Sequence, residues 1–139
     1  MQSSIFTILF FIVSCTVAFA QTPVIDSLLN QLPRTRNAEK VRVLNELCSE
    51  FSFVRPSQAL LYGSQALDMA KNLNNPVLLS ESANALGVMY AVQGDYEKAL
   101  QHFLQSLAQA ERAKAFDKIA GLYSNIAGVY KSQGDYRQA

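Results

Sequence analysis

Two short phrases in this chain are the same, Gly94-Asp95-Tyr96 and Gly134-Asp135-Tyr136, and they stand 40 residues apart. The agreement runs well beyond three residues. Leu86 matches Ile126, Gly87 matches Ala127, Tyr90 matches Tyr130, Gln93 matches Gln133 and Ala99 matches Ala139 at the same interval. A fixed period of this size marks a stack of supersecondary units, each too small to bury its apolar face alone. Such a stack offers an extended surface rather than a catalytic cleft, so partners come before chemistry.

The repeated unit is helical. Leu44, Leu47, Cys48 and Phe51 fall at i, i+3, i+4 and i+7 on a first long helix. Ala83, Leu86, Gly87 and Tyr90 repeat that spacing on a third, and Tyr123, Ile126, Ala127 and Tyr130 on a fifth. Three matches to one amphipathic template point to helices that share a packing role. The middle column is small each time (Cys48, Gly87, Ala127), which suits a close helix contact. The second and fourth helices carry Ala59, Gly63, Ala66, Leu67 and Ala70, and Ala99, Phe103, Ser106, Leu107 and Ala110. Gly94 and Gly134 stand where a helix C-terminus takes a left-handed residue, and Asp95 and Asp135 where the next helix needs a cap. Asn75-Pro76 reads as N-cap plus first-turn proline; Pro56 has the same role after Arg55, a poor cap. The first repeat is one residue shorter across its turn, with Ala59 eight residues after Phe51 against nine from Tyr90 to Ala99.

The first twenty residues have the anatomy of a secretory signal: an apolar stretch from Ile5 to Val13, then Ala18-Phe19-Ala20 as a small-x-small cleavage site. A membrane anchor needs about 20 predominantly apolar residues, and Ser14, Cys15 and Thr16 interrupt this run. Ile12-Val13-Ser14-Cys15 also resembles a lipobox, which would put a lipid on Cys15, although an apolar continuation comes after it rather than a polar tether. Either route places the mature chain in the periplasm or otherwise outside the cytoplasm. Membrane contact would come through an uncleaved signal, the Cys15 lipid or a downstream span.

Cleavage after Ala20 leaves about 119 residues, one domain's worth of chain. All 12 basic and 11 acidic side chains lie in that part and nearly balance, at a formal net charge of +1. No long basic run is present, which argues against nucleic acid as a partner. Cys48 is the one cysteine left after cleavage, so packing rather than an intrachain disulfide must hold the domain. The expected organisation is a signal over 1–20, a leader helix and connector over 21–36, and repeats over 37–74, 76–115 and 116–139, the last truncated.

These residues resemble the tetratricopeptide repeat, in a 40-residue variant. That family's pattern of a leading residue, Leu-Gly, Tyr, a Gly-Asp-Tyr turn, Ala and an aromatic reads here as Ala83, Leu86-Gly87, Tyr90, Gly94-Asp95-Tyr96, Ala99 and Phe103. The resemblance implies an all-α, right-handed solenoid of antiparallel helix pairs, with two complete repeats and a third cut short. The order of signal, leader helix and atypical first repeat is similar to the extracytoplasmic input region of bacterial signalling proteins that end in a histidine kinase or cyclase. Any such activity would lie beyond Ala139. A stand-alone secreted or lipid-anchored scaffold without an output module is the alternative. The bare row of the fifth helix calls for further repeats, or another chain, to pack on it.

The resemblance also places a binding surface. The first helix of each pair lines a concave face, with Asn45 and Ser49, Asn84 and Val88, and Ser124 and Gly128 pointing inward, and Arg42, Glu81 and Lys131 near the rim. Asn45, Asn84 and Asn125 can pair with a peptide backbone, each amide offering donors and an acceptor. Their plain reading is as solvated polar residues. Chemistry finds little to work with. His102 is the one histidine, with no Cys or carboxylate at ligand spacing, so no metal is expected. Cys48 reads as a small buried contact residue. No hydroxyl has a His/Asp constellation about it and no glycine-rich phosphate loop exists, so neither an enzyme nor a cofactor is expected.

Overall fold

The computed structural model describes residues 22–138, and the fold there is helical, with no strand among the described residues. The signal segment with Cys15 and Ala20, and Ala139 at the other end, lie outside the described residues. Among the described residues six α-helices run in order: α1 (Pro23–Gln31), α2 (Asn37–Phe51), α3 (Pro56–Asn72), α4 (Pro76–Val92), α5 (Tyr96–Arg112) and α6 (Phe116–Gln138). A single 3-10 turn, Leu32–Arg34, contains Pro33 and joins α1 to α2. The arrangement is a tetratricopeptide-like helical solenoid in which α2 packs with α3, α4 with α5, and α6 comes next.

The helix starts are written in the sequence. Thr22 Oγ1 accepts from the Ile25 amide at 3.3 Å and opens α1 ahead of Pro23. Asn75 Oδ1 accepts from Val77 and Leu78 at 3.0 and 3.2 Å and opens α4 ahead of Pro76. Asp95 accepts from Lys98 at 3.2 Å and opens α5. Arg55 makes no side-chain cap before Pro56. Side-chain oxygens at these positions satisfy amides that no helical carbonyl can reach.

The helix ends show a second period, of 20 residues. Asn74, Gly94 and Lys114 each take a left-handed backbone, at φ of 47°, 78° and 53°. Around each, the same pair of bonds forms: Asn74 to Lys71 and Asn75 to Ala70, Gly94 to Ala91 and Asp95 to Tyr90, Lys114 to Glu111 and Ala115 to Ala110. This is the Schellman closure, which satisfies carbonyls left over at a helix end. The turn from α2 to α3, one residue shorter, has no left-handed residue; Val54 and Arg55 both bond back to the Phe51 carbonyl.

The Gly134 turn, expected from its twin at Gly94, does not form. The helix α6 runs on through Gly134, Asp135 and Tyr136 to Gln138, and Gly134 does not have a positive φ. The reason lies in the residues after each glycine. Beyond Gly94, α5 returns along α4 and buries Ala99 and Phe103. No helix among the described residues returns along α6 to bury such a row, and each helical residue added gains one backbone bond at little cost.

The shared apolar columns do pack where a partner helix exists. Leu44, Leu47, Cys48 and Phe51 are buried on α2, and Ala83, Leu86 and Gly87 on α4. Gly87 is small because of Phe103: a Cβ there would stand 2.6 Å from two of its ring carbons. The close contact is thus a ring lying on a helix rather than two backbones touching. Gly63 on α3 fits in the same way against Leu86 and Cys48, where a Cβ would meet their side chains at 2.6 and 2.8 Å. Tyr90 stacks on His102 at 5.3 Å, and Phe51 on Tyr62 at 5.6 Å. A buried serine pair, Ser80 with Ser106, crosses from α4 to α5 at 3.0 Å and satisfies itself further through the Ser80 carbonyl. On α6 the inward residues are Leu122 and Val129, whereas Tyr123, Ala127 and Tyr130 lie exposed. Ala127 therefore packs against no helix, unlike Cys48 and Gly87 in its column.

Candidate interaction groove

The helices α2, α4 and α6 lie side by side and their inner faces bound one groove with three sections. The first, about 500 Å³, lies among α1, α2 and α4 and is lined by Val24, Leu28, Arg42, Asn45, Ser49 and Glu81, among others. The second, about 240 Å³, lies between α4 and α6 at Glu81, Asn84, Lys118 and Asn125. The third, about 370 Å³, continues past Val88, Phe103, Ser124, Gly128 and Val129. Glu81 and Asn84 belong to both the first and second sections, Val88 to the first and third, and Asn125 to the second and third.

Nine of the ten residues singled out in the sequence line this groove: Arg42, Asn45, Ser49, Glu81, Asn84, Val88, Ser124, Asn125 and Gly128. Lys131 does not; it stands exposed on α6 and borders none of the three sections. Its place at the rim is taken by Lys118, which sequence reading missed. Lys118 Nζ pairs with Glu81 at 2.8 Å, and Arg42 reaches the same carboxylate at 3.8 Å. A rail of charges thus runs from α2 through α4 to α6. The signal for Lys118 is its register with Leu122, Asn125 and Val129, one position off the stripe that counting from Ser124 selects.

The three asparagines behave differently from one another. Asn125 Nδ2 donates to Asn84 Oδ1 at 2.9 Å, so these two amides hold each other. The pair still presents one amide nitrogen from Asn84 and one amide oxygen from Asn125. Asn45 has both amide atoms withdrawn from solvent with no hydrogen-bond partner. Ser49 and Ser124 donate back to the carbonyls one turn before them, Asn45 and Ala120, each at 3.2 Å. That leaves their oxygens as acceptors.

Two other reactive side chains serve packing. Cys48 is fully buried, donates to the Ala85 carbonyl at 3.8 Å, and burial pushes its thiol up to about 12. A neutral thiol of this kind is a poor nucleophile. His102 lies against Tyr90, its Nδ1 buried without a partner, and burial holds the imidazole below its ordinary range. No cluster of three or more His, Cys, Asp or Glu suited to a metal occurs among the described residues. No described helix is long and apolar enough to cross a membrane.

Known proteins agree with this architecture. Residues 78–139 match the tetratricopeptide repeat family model. The chain is 29% identical over 104 residues to Protein FLUORESCENT IN BLUE LIGHT, chloroplastic, of Arabidopsis thaliana, covering 73% of this chain and 33% of that protein. It is 35% identical over 81 residues to Response regulator aspartate phosphatase A of Bacillus subtilis (strain 168), covering 58% of this chain and 21% of that protein. The chain thus spans a third or less of these relatives. With the helix pairs, the Gly94 turn and the groove, these matches support the tetratricopeptide repeat family for this chain, and such repeats are in general modules that bind protein or peptide partners.

Proposed function

We propose that this chain binds an extended segment of a partner protein in the α2–α4–α6 groove and acts as the extracytoplasmic sensory or scaffolding input of a larger bacterial signal-transduction protein. The observation that carries the binding role is the groove itself. Apolar Val88 and Val129 form its floor, and the Asn84–Asn125 pair presents a donor and an acceptor above it. A peptide unit needs that combination. Repeat arrays hold ligands on extended concave surfaces of this sort. The signalling role draws support from the Bacillus subtilis relative, whose name places it on response regulators. Export rests on the apolar Ile5–Val13 stretch and the Ala18-Phe19-Ala20 site.

The exposed row on α6 is a second contact surface. Phe116, Tyr123 and Tyr130 are 74%, 56% and 59% exposed, far more than large apolar side chains usually are when their row recurs elsewhere in a core. A further repeat, or another chain, covers this row as α5 covers α4. The alternative for the whole protein is a secreted or lipid-anchored scaffold with no output domain, and the reading frame past codon 139 separates the two.

Photocrosslinking in the native host tests the binding role. A photoreactive residue in place of Val88, in the groove, should capture one discrete polypeptide. The same residue at Leu104, exposed on the outside of α5, should not. Identical products from both positions would sink the groove. Protease accessibility of the product outside the inner membrane, with a mature N-terminus at Gln21, tests export; a cytoplasmic product that keeps Met1 would overturn it.

A further inference from the structure

The groove is electrically uneven along its length. Its first section is walled by three carboxylates, Glu46, Glu50 and Glu81, against one cation, Arg42. The charged side chains of the other two sections are Glu81 and Lys118, which neutralise each other at 2.8 Å. Since Lys118 holds Glu81 at that distance, Arg42 alone is left against Glu46 and Glu50, and the section keeps one surplus negative charge. Neither glutamate takes part in an ion pair among the described residues. They stand one helical turn apart on α2, where like charges repel.

A separate observation marks the same section as built for an occupant. Asn45, between these carboxylates and the apolar side chains of Val24 and Leu28, has an amide nitrogen and oxygen that are both buried and both unpartnered. Nearly all buried polar atoms in folded proteins have a partner. An orphaned donor and acceptor on one amide are together the complement of one peptide unit. Further along, the lining turns apolar at Val88, Ala91, Val92 and Val129.

Resting on the peptide-binding reading of the groove, we propose that its α1–α2–α4 end takes a lysine or arginine side chain of the bound segment. Carboxylates one turn apart on a helix stand about 5–6 Å apart at Cβ, a spacing that one ammonium or guanidinium can bridge. The Asn45 amide turns out of its buried position to meet the peptide group of that basic residue or of its neighbour. The segment then runs toward Val129 with apolar side chains on the floor. Charge at one end therefore sets both the register and the direction of the ligand, which a row of apolar contacts alone does not.

Selection from a random decapeptide library on the immobilised chain tests this, followed by titration of single selected peptides with the wild type and two variants. Selected peptides should carry Lys or Arg toward one end and apolar residues toward the other. Glu46→Gln with Glu50→Gln should weaken their binding at least tenfold and flatten its salt dependence, with the helical melting curve unchanged. Val88→Arg should abolish binding. Peptides without a basic preference that Val88→Arg still displaces would overturn the basic end and leave the groove standing. Peptides indifferent to Val88→Arg, or none selected, would overturn the groove and the basic end with it.

Discussion

The helices α4 and α6 carry the same pattern 40 residues apart and meet different fates. On α4, Ala83 and Gly87 are buried, and the Phe103 ring of α5 is seated where a side chain on Gly87 would be. On α6, Tyr123 and Ala127 hold the same places and face solvent. An amphipathic helix pattern thus states which face seeks cover, and the neighbouring helix decides whether cover is found. The contrast also separates two kinds of glycine. Gly94 is a left-handed pivot, whereas Gly134, its twin in sequence, is a residue inside a helix.

The largest effect that can break this comparison comes from removing the ring that covers α4. Phe103 is 1% exposed, and emptying such a site costs about 3–5 kcal/mol. Phe103→Ala should therefore lower the denaturant midpoint steeply or prevent folding. Tyr130→Ala, on the uncovered row, should stay within about 0.5 kcal/mol. Equal losses from the two would mean that another chain covers α6 under the conditions of the measurement.

Next in size is the small column itself. Gly87→Leu drives a side chain into the Phe103 ring, and overfilling a packed contact costs about 1–3 kcal/mol. Ala127→Leu places the same side chain in open solvent and should leave the thermal midpoint unchanged. If Gly87→Leu melts like the wild type, the Phe103 contact is not what keeps this position small.

The two glycines of the repeated phrase should respond with opposite signs. Gly94→Ala puts a Cβ on a left-handed backbone, which costs about 1–2 kcal/mol. Gly134→Ala fills a helical position with a better helix former, worth about 0.5–1 kcal/mol in a helix interior and less this near its end. Denaturant titration of both variants checks this. A loss at Gly134 would mean that the turn seen at Gly94 forms there too.

That sign also shows what was legible in the chain. The period, the caps at Asn75 and Asp95 and the buried columns of α2 and α4 come from short-range rules and the repeat. The inward set Asn45, Ser49, Asn84 and Val88 came from the resemblance to a known repeat. Counting from the repeat went astray where a structure depends on a partner the pattern assumes. Gly134 needs a returning helix to become a turn, and Ala127 needs one to be buried. Lys118 was set by the rotation of α6 about its own axis, which places it and Asn125, rather than Lys131, beside Glu81 and Asn84. Side-chain pairs that cross between helices, such as Asn84 with Asn125, have no signature along a single chain of letters. The neighbouring carboxylates Glu46 and Glu50 were visible as residues, yet α1 closes their section of the groove, and its lie against α2 is not a periodic property.

The smallest effect sharpens the contact between α4 and α5 from the side of charge. His102 of α5 lies flat against Tyr90 of α4, and burial lowers its pKa in the folded chain. The unfolded chain, with an ordinary imidazole near pH 6.5, then binds more protons than the folded one below that pH. Stability rises with pH wherever the unfolded state holds the extra protons. This contribution is therefore full above the ordinary imidazole value and is lost as the pH falls through the lowered one. Melting midpoints taken between about pH 7.5 and about pH 5.5 should drop on the acid side, and His102→Gln should flatten that part of the profile. A slope unchanged by His102→Gln would move the acid sensitivity elsewhere and leave the α4–α5 seam, unlike the open row of α6, indifferent to protons.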